Sequence, residues 1–345
     1  MRLLIFTQKI DKNDTVLGFF HGWIAQLAKR FDSIEVICLS KGEYDLPQNV
    51  TVYSLGKERG ASRFAYVVNL YTYLSLIRGS YDAVFVHMNQ EYVLLAGLYW
   101  KLAGIPVYMW RNHKAGSFLT RIAAGLSTKI FCTSDQSFTA RFKKTVIMPA
   151  GIDTEIFKPV EGIVRTKYSV CMVGRVSPVK KVDLALKAIS ILASRGVRTS
   201  LAIIGPILDK DFAYVESLKK YIEVNNLSTT VHFLPGVPQS ELPQIYSGYE
   251  LCLNLTEAGS FDKTIVEAAG CGAFPLVSNE SLGALLPAVC ITKNDPGAIA
   301  DSIEKLLQPQ ERLLVQKELE SFVASQSLSL LIQKLDNVMR IHVQE

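Results

Sequence analysis

The sequence predicts an α/β protein made of two doubly wound, parallel-sheet domains that face each other. With 345 residues, the chain is long enough for two domains that each bury a core of their own. Short apolar, β-branched runs alternate with helical patterns along its length, which indicates βαβ units. The runs are apolar at nearly every position, as in parallel strands that are buried on both faces.

Six strands are predicted in the first half of the chain. Between the first two, Phe20, Trp23, Ile24, Leu27 and Ala28 fall at i, i+3, i+4, i+7 and i+8, which predicts one amphipathic helix. The predicted strands are Leu3–Phe6, Ile34–Leu39, Ala83–His87, Val107–Trp110, Lys129–Thr133 and Thr145–Met148.

The second half repeats this alternation with five strands and a terminal helix. The predicted strands are Ser169–Val173, Leu201–Ile204, Val231–Leu234, Leu251–Leu255 and Phe274–Val277. The predicted helices are Val182–Ser194, Phe212–Asn225, Ser240–Tyr246 and Ser327–Val343.

Pro159 and Gly162 interrupt the pattern between the two series, so we predict a domain boundary there. The predicted domains cover residues 1–158 and 159–326, and a C-terminal helix within 327–345 is expected to pack back on the first domain. Ligands of open parallel sheets bind beyond the carboxyl ends of the strands. We therefore expect a cleft between the domains, with loops from both on its walls.

The composition is that of a globular protein, with 49% hydrophobic and 20% charged residues. The six cysteines lie in apolar runs without a CxxC pair, and we interpret them as reduced core residues. The start, MRLLIFTQKI, lacks a small-residue cleavage site, and no apolar run approaches the ~20 residues that cross a bilayer. A cytoplasmic protein is expected.

The positive charge is concentrated in the first half of the chain. Residues 1–158 contain 19 Lys and Arg against 12 Asp and Glu, and the remainder contains 18 against 20. No basic run exceeds Lys143-Lys144, which argues against nucleic acid as a partner. The segment Arg63–Arg78 is apolar nearly all round, with a cation at each end. It is either buried against a sheet or a peripheral contact with an anionic membrane.

Two predicted loops carry residues suited to a phosphorylated ligand. In the first, Gly174, Arg175 and Lys180 follow a strand, and two cations five positions apart can straddle a diphosphate. In the second, a helix begins near Lys263, where free amides favour phosphate or sugar oxygens. Glu267, one turn into that helix, can accept hydrogen bonds from two neighbouring ribose hydroxyls if it faces the cleft. The alternative is an ordinary glutamate on the helix surface.

Three motifs in order resemble the retaining glycosyltransferases of family 4, which have the GT-B fold of two Rossmann-like domains. They are P-x-G-[VI]-D-x-x-x-F-x-P from Pro149, V-G-R-x-x-x-x-K from Val173 and F-D-K-x-x-x-E-A-x-x-C-G from Phe261. The resemblance covers most of residues 145–280. The first half matches more loosely, through Gly18 and the run Val86–Asn89.

The resemblance implies a role for individual residues. Arg175 and Lys180 match the pair that neutralises the donor diphosphate, and Glu267 matches the glutamate that holds the nucleotide ribose. Gly18 matches the glycine loop that approaches donor and acceptor. The base is expected on residues 231–236, largely through backbone groups around Leu234. The first domain would then serve the acceptor and the second the nucleotide sugar.

The chain departs from the family pattern at Gly259, eight residues before Glu267, where many members have a first glutamate that grips the donor sugar. Either Glu257 or the pair Asp262-Lys263 is expected to replace it, and we favour the pair. Lys181 stands where the family usually has glycine, which adds charge at no evident cost. The expected donor-binding set in this loop is Gly259, Ser260, Phe261, Asp262, Lys263, Thr264 and Glu267.

The resemblance implies transfer of a sugar to an acceptor hydroxyl with retention of anomeric configuration, in surface polysaccharide or glycolipid synthesis. Arg175 and Lys180 would stabilise the leaving diphosphate, so neither a metal nor a cofactor is expected. The string Asp209-Lys210-Asp211 is interpreted as solvated acids at a helix start rather than a metal site. His113 is a candidate catalytic residue, and His87 a weaker one.

Other functions are less compatible with the residues. A nicotinamide dehydrogenase needs G-x-G-x-x-G after an early strand, which this chain lacks. A non-catalytic nucleotide-sugar binder stays open because the first glutamate is missing. An epimerase or sugar phosphorylase of the same fold also stays open. The expected acceptor is a carbohydrate, or a polyprenyl-linked one that the membrane contact would collect.

Overall fold

A computed structural model describes residues 1–14, 16–257 and 261–341. The chain divides into two compact units. Unit 1 comprises residues 1–151 and 328–341, and unit 2 comprises residues 152–257 and 262–327, while Phe261 groups with unit 1. Each unit contains one parallel β-sheet with helices, which confirms the predicted fold class.

The sheet of unit 1 has seven parallel strands in the order β3-β2-β1-β4-β5-β6-β7. All six predicted strands are present, and β3 is an additional one. It lies at the sheet edge with a mostly half-exposed burial pattern, so it lacks the continuous apolar run of a central strand. The strands are β1 Arg2–Ile10, β2 Ser33–Lys41, β3 Val50–Ser54, β4 Ala83–His87, β5 Val107–Trp110, β6 Lys129–Cys132 and β7 Thr145–Ile147.

Helices cover both faces of this sheet. One face carries α1 and α11. Their apolar side chains, including Trp23 of α1, form one core with the strands. The Tyr108 hydroxyl donates a 3.0 Å hydrogen bond to the Met339 carbonyl of α11, so the terminal helix is part of unit 1. The other face carries α2, α3 and α4. The helices are α1 Phe19–Leu27, α2 Arg63–Leu76, α3 Glu91–Leu102, α4 Phe118–Leu126 and α11 Leu328–Ile341.

The sheet of unit 2 has five parallel strands in the order β10-β9-β8-β11-β12. They are β8 Ser169–Val173, β9 Ser200–Ile204, β10 Val231–Leu234, β11 Leu251–Asn254 and β12 Phe274–Val277. The helices are α5 Val182–Ser194, α6 Phe212–Val224, α7 Leu242–Gly248, α8 Lys263–Gly270, α9 Pro296–Leu306 and α10 Pro309–Ser325. An apolar core that contains α5, α6 and α9 side chains packs against the strands.

The division between the units falls between residues 151 and 152, seven residues before the predicted boundary. Gly151 is bound to unit 1, because Trp23 Nε1 donates to its carbonyl at 2.9 Å. A Cβ at Gly151 would lie 2.3 Å from the Leu331 side chain, so only glycine fits there. Beyond it, the Val160 amide donates to Ser247 Oγ at 3.0 Å. The chain around Pro159 therefore already packs on unit 2.

All six cysteines are buried and free, as predicted. Within the described parts of the chain, no helix combines the length and the apolar character that crossing a bilayer requires.

Candidate active site

Three neighbouring strands of unit 2 end in glycines that bring their loops into close contact. A Cβ at Gly205, after β9, would lie 2.0 Å from the carbonyl oxygen of Gly174, after β8. A Cβ at Gly236, after β10, would lie 2.8 Å from the Pro206 ring. Because these positions carry no side chains, the carboxyl edge of the sheet presents bare backbone to a ligand.

Replacing Gly205 by alanine is expected to destabilise unit 2, because backbone atoms of Gly174 would have to move. Overpacking of this kind costs about 1–3 kcal/mol, which corresponds to roughly 2–10 °C in melting temperature. The matched control is Gly248→Ala, where the added Cβ meets only Ile163 at 3.9 Å. Thermal unfolding of both variants checks this, and equal shifts would contradict the close contact of the two loops.

Arg175 and Lys180 line the same small cavity, together with Gly174 and Asn254. The Arg175 side chain is 43% exposed, and its Nε lies 3.9 Å from Oδ2 of Asp211. A Cβ at Gly174 would lie 3.4 Å from Lys180 Nζ, so the absence of a side chain there makes room for the ammonium group. The structure thus brings the two predicted cations together at the end of β8.

Asp262 connects Lys180 to the start of α8. Its Oδ1 accepts hydrogen bonds from the Thr264 amide at 3.3 Å and from Thr264 Oγ1 at 3.0 Å, which caps the helix. Its Oδ2 accepts from Asn254 Nδ2 at 2.9 Å and from Lys180 Nζ. Burial alone would raise the pKa of Asp262, but Lys180 and the hydrogen bonds lower it. The carboxylate predicted to hold sugar hydroxyls therefore holds Lys180 and the helix N-terminus.

Lys181 adopts the left-handed backbone conformation, with φ 52° and ψ 45°. Glycine is favoured in this region, and a residue with a side chain pays roughly 1–2 kcal/mol for it. The prediction that replacing glycine by Lys181 has no cost was wrong. The Lys181 ammonium lies 2.5 Å from Oε1 of Glu257, which ties the β8 and β11 loops together.

Glu267 is buried within unit 2, with 4% of its surface exposed. Tyr246 Oη and Gln239 Nε2 each donate a long hydrogen bond of 3.4 Å to its carboxylate. Burial raises the pKa of Glu267 to about 7, although Lys263, one turn earlier, opposes the increase. Burial likewise lowers the pKa of Lys263. An ordinary glutamate on the helix surface is excluded by this burial.

Three residues of this site were not singled out from the sequence. Asn254, at the end of β11, donates a hydrogen bond to Asp262 and so positions it. The sequence feature that could have indicated Asn254 is a polar residue at the end of an apolar strand. Tyr246 and Gln239 reach Glu267 from α7 and from the turn before it. No local pattern marks them, because they lie more than 20 positions away in the sequence.

The remaining predicted donor residues fall into different environments. The Leu234 side chain is exposed at the end of β10, and its carbonyl accepts a 3.2 Å hydrogen bond from the Gly205 amide. Phe261 is buried. Gly259 and Ser260 lie outside the described residues.

The Asp209–Asp211 string forms a short 3₁₀ turn before α6. Asp209 is exposed, whereas Asp211 is buried beside Arg175. Across residues 1–14, 16–257 and 261–341, no three metal-ligating side chains come together. Asp211 of this string places its carboxylate beside the guanidinium group of Arg175.

In unit 1, Gly18 immediately precedes α1. A Cβ there would lie 2.5 Å from the Asp14 carbonyl oxygen, so this loop also needs glycine. The Asp14 carboxylate accepts from the Leu17 amide at 2.7 Å and from Lys9 Nζ at 2.7 Å. Burial would raise the pKa of Asp14, but these bonds lower it, and the ionised side chain fixes the loop.

The two candidate histidines of unit 1 differ sharply in exposure. His113 lies exposed after β5, and the Ala115 amide donates to its Nδ1 at 3.0 Å. The same Nδ1 also lies 3.1 Å from the Ala115 carbonyl oxygen. His87 is buried and stacks on Phe20 with a centroid distance of 3.9 Å, while Thr7 Oγ1 lies 3.3 Å from its Nδ1. We interpret His87 as part of the aromatic core.

A family model described as "Glycosyl transferases group 1" matches residues 153–318. Curated relatives include D-inositol 3-phosphate glycosyltransferases from Frankia alni (27% identical over 217 residues, 55% of this chain and 53% of the relative) and Mycolicibacterium smegmatis (29% over 189 residues, 50% and 42%). The chain therefore spans about half the length of these relatives.

Solved structures resemble the whole chain in fold. Anabaena Alr3699/HepE, in complex with UDP and glucose, has a TM-score of 0.77 at 16% identity, with 99% of each chain covered. The sucrose-phosphate synthase of Thermosynechococcus elongatus has a TM-score of 0.76 at 14% identity, with 99% and 98% covered.

Two parallel-sheet units with a cationic loop and a buried glutamate at one carboxyl edge define a protein of the GT-B class. The predicted resemblance to GT-B glycosyltransferases is confirmed. Residues 153–318 are similar to the group 1 glycosyl transferases.

Proposed function

We propose that this protein is a retaining glycosyltransferase of family 4 that moves a sugar from a nucleoside diphosphate to an acceptor hydroxyl. The observation that carries the proposal is the cluster at the carboxyl edge of unit 2. There Arg175 and Lys180 share a cavity with bare glycine backbone, and α8 contributes a capped N-terminus and Glu267.

The cations explain how the leaving group is stabilised. When the bond between the anomeric carbon and the diphosphate breaks, negative charge grows on the phosphate oxygens. Arg175 and Lys180 line one cavity, and their positive charges would neutralise the charge on the phosphate oxygens. In this proposal neither a metal nor a cofactor is needed for the step. The pairing of Lys180 with Asp262 keeps the ammonium oriented before the donor binds.

Retention follows if the acceptor hydroxyl attacks on the face that the diphosphate leaves. The new bond joins the acceptor oxygen to the anomeric carbon, and the hydroxyl proton passes to a leaving phosphate oxygen. No carboxylate nucleophile is required in this scheme. We assign His113 a contact with the donor sugar or the acceptor, since it is exposed after a strand of unit 1.

The proposed donor carries uridine, because HepE, which shares the fold, is described with UDP and glucose. The acceptor is proposed to be a carbohydrate or a polyprenyl-linked sugar, used in surface polysaccharide or glycolipid synthesis. The protein would then act in the cytoplasm, at the inner face of a membrane.

A thermal-shift screen with UDP-, GDP- and ADP-sugars is expected to show the largest rise in melting temperature with a UDP-sugar. A ligand at 100 times its Kd stabilises the native state by about 2.7 kcal/mol, which is readily measured. UDP should stabilise the protein more than uridine monophosphate, because only UDP carries the second phosphate. In Lys180→Ala this difference should shrink.

Two outcomes would contradict the proposal. Tight nucleotide binding without UDP release in the presence of any acceptor would favour a non-catalytic binder. A changed sugar found on UDP, or a free sugar phosphate, would indicate an epimerase or a phosphorylase. Product analysis by NMR separates these outcomes and also reports the anomeric configuration.

A further inference from the structure

Three helices of unit 1 leave an apolar surface uncovered. Helices α2, α3 and α4 lie side by side on the same face of the sheet, and they share one core beneath them. The Tyr71 hydroxyl of α2 donates a 2.9 Å hydrogen bond to the Leu95 carbonyl of α3, which joins the outer faces of these two helices. We call the outer faces of the three helices the α2–α4 surface.

Helix α3 shows the pattern most clearly. Leu95, Leu98, Tyr99 and Leu102 fall at i, i+3, i+4 and i+7, which forms a stripe along one side of the helix. Such a stripe normally faces a core, yet these side chains are 41–81% exposed. The helix has a second apolar side, including Tyr92 and Trp100, that is buried against the sheet.

The neighbouring helices α2 and α4 also carry exposed apolar side chains. Only Leu70 and Leu74 of α2 are buried, so burial against the sheet accounts for part of its apolar character. A large number of exposed apolar side chains on one face of a unit is typical of an interaction site. The exposed apolar side chains are Phe64, Val68, Tyr71 and Leu76 on α2 and Phe118, Leu119 and Ile122 on α4.

The charges on the three helices favour an anionic partner, because the cations Arg63, Lys101 and Arg121 outnumber the one acid, Glu91. Along the sequence, residues 63–144 contain ten Lys and Arg against three Asp and Glu. One of the three acids, Asp82, pairs with Arg2 at 2.6 Å. Among the exposed basic residues, Lys101 lies on α3 and Arg121 on α4, directly beside the apolar side chains.

We propose that the α2–α4 surface docks on an anionic lipid bilayer, with its apolar side chains in the interfacial region and its cations on lipid phosphates. This rests on the proposed function, in which the acceptor is lipid-linked. A second copy of the chain fits less well, since a symmetric dimer would bring two basic faces together. Aromatic side chains such as Phe64, Tyr99 and Phe118 suit the membrane interface.

Vesicle flotation tests this proposal. The full chain is expected to float with vesicles of phosphatidylcholine and phosphatidylglycerol, and much less with phosphatidylcholine alone. Raising the salt from 0.1 to 0.5 M should reduce flotation, because the attraction is electrostatic. Failure to float with the anionic vesicles would overturn the proposal, and so would a dimer in sedimentation that hides the surface.

Matched variants locate the contact. Leu98→Glu with Leu102→Glu, and separately Lys101→Glu with Arg121→Glu, are each expected to weaken vesicle partition by at least about tenfold. The control is Leu313→Glu with Leu314→Glu on α10, where two leucines are 71% and 74% exposed in unit 2. Equal losses in the control would also overturn the proposal.

A thermal shift with UDP on the same variants separates the two proposals. The α2–α4 variants are expected to keep the wild-type shift, since the nucleotide residues lie in unit 2. Lost flotation with an intact UDP shift supports the membrane contact. A missing UDP shift in the wild type contradicts the proposed function instead, whatever the vesicles show.

Discussion

Replacing Arg175 or Lys180 by alanine is expected to lower turnover at least 100-fold, whereas Asp209→Ala should change it less than about twofold. A group that stabilises charge developing in the transition state contributes about 10²–10³ in kcat. Arg175 and Lys180 line one cavity after β8, while Asp209 is an exposed acid at the start of α6. The readout is UDP released from the donor at saturating concentration.

The Lys180 variant needs its own control, because it also removes the partner of Asp262. Asp262→Asn keeps an oxygen that can cap α8 but removes the ion pair. If Lys180 acts on the diphosphate itself, Lys180→Ala should lose far more turnover than Asp262→Asn. Equal losses would mean that Lys180 only positions the α8 loop. A rate that falls in EDTA and returns with Mg²⁺ would overturn the metal-free assignment.

Much of the fold follows from local patterns in the sequence. Helix α5 and strands β4, β5 and β12 begin and end at the predicted residues, because continuous apolar strands and 3.6-residue periodicity report burial directly. Edge strand β3 was missed because it is half exposed. The domain boundary was predicted after residue 158, whereas the units divide after residue 151. The reason is that Gly151 contacts Trp23 and Leu331 of unit 1, and these tertiary contacts have no local signal in the sequence.

The site was predictable as a set of positions but not as a set of contacts. The order of the motifs placed Arg175, Lys180 and Glu267 on loops and a helix of one domain, and the structure puts them at the carboxyl edge of one sheet. That Asp262 would bind Lys180 depends on distances between residues 82 positions apart. The left-handed backbone of Lys181 likewise results from the loop geometry, which the sequence does not encode locally.

The proposed contact between Glu267 and the nucleotide ribose predicts the second large effect, which is a nucleotide affinity that depends on pH. Burial raises the pKa of this carboxyl from 4.5 to about 7, so much of it is protonated in the free protein at neutral pH. Ribose hydroxyls donate hydrogen bonds, and the ionised carboxylate accepts them more strongly than the acid. UDP binding should therefore release a proton, and affinity should fall as the pH drops from 8 to 5.5.

Glu267 alone is expected to contribute a decrease of about tenfold for each pH unit below 7, since one proton on this carboxyl is linked to binding. Stability of the free protein should change in the opposite direction. A carboxyl whose pKa is higher in the folded chain binds more protons there, so its contribution to stability is lost as the pH rises from 4.5 to 7. Calorimetry in buffers of different ionisation enthalpy measures the released proton directly.

Glu267→Gln is the matched variant, because the amide keeps the shape and cannot ionise. It should bind UDP about 10- to 100-fold more weakly than the wild type at pH 8, the loss expected for hydrogen bonds to a charged group. At pH 5.5 the two affinities should converge. The phosphate of UDP itself titrates near pH 6, but it does so equally for both proteins, so their ratio reports the Glu267–Lys263 pair. A ratio that stays constant from pH 5.5 to 8 would show that the Glu267 carboxylate does not bind the ribose.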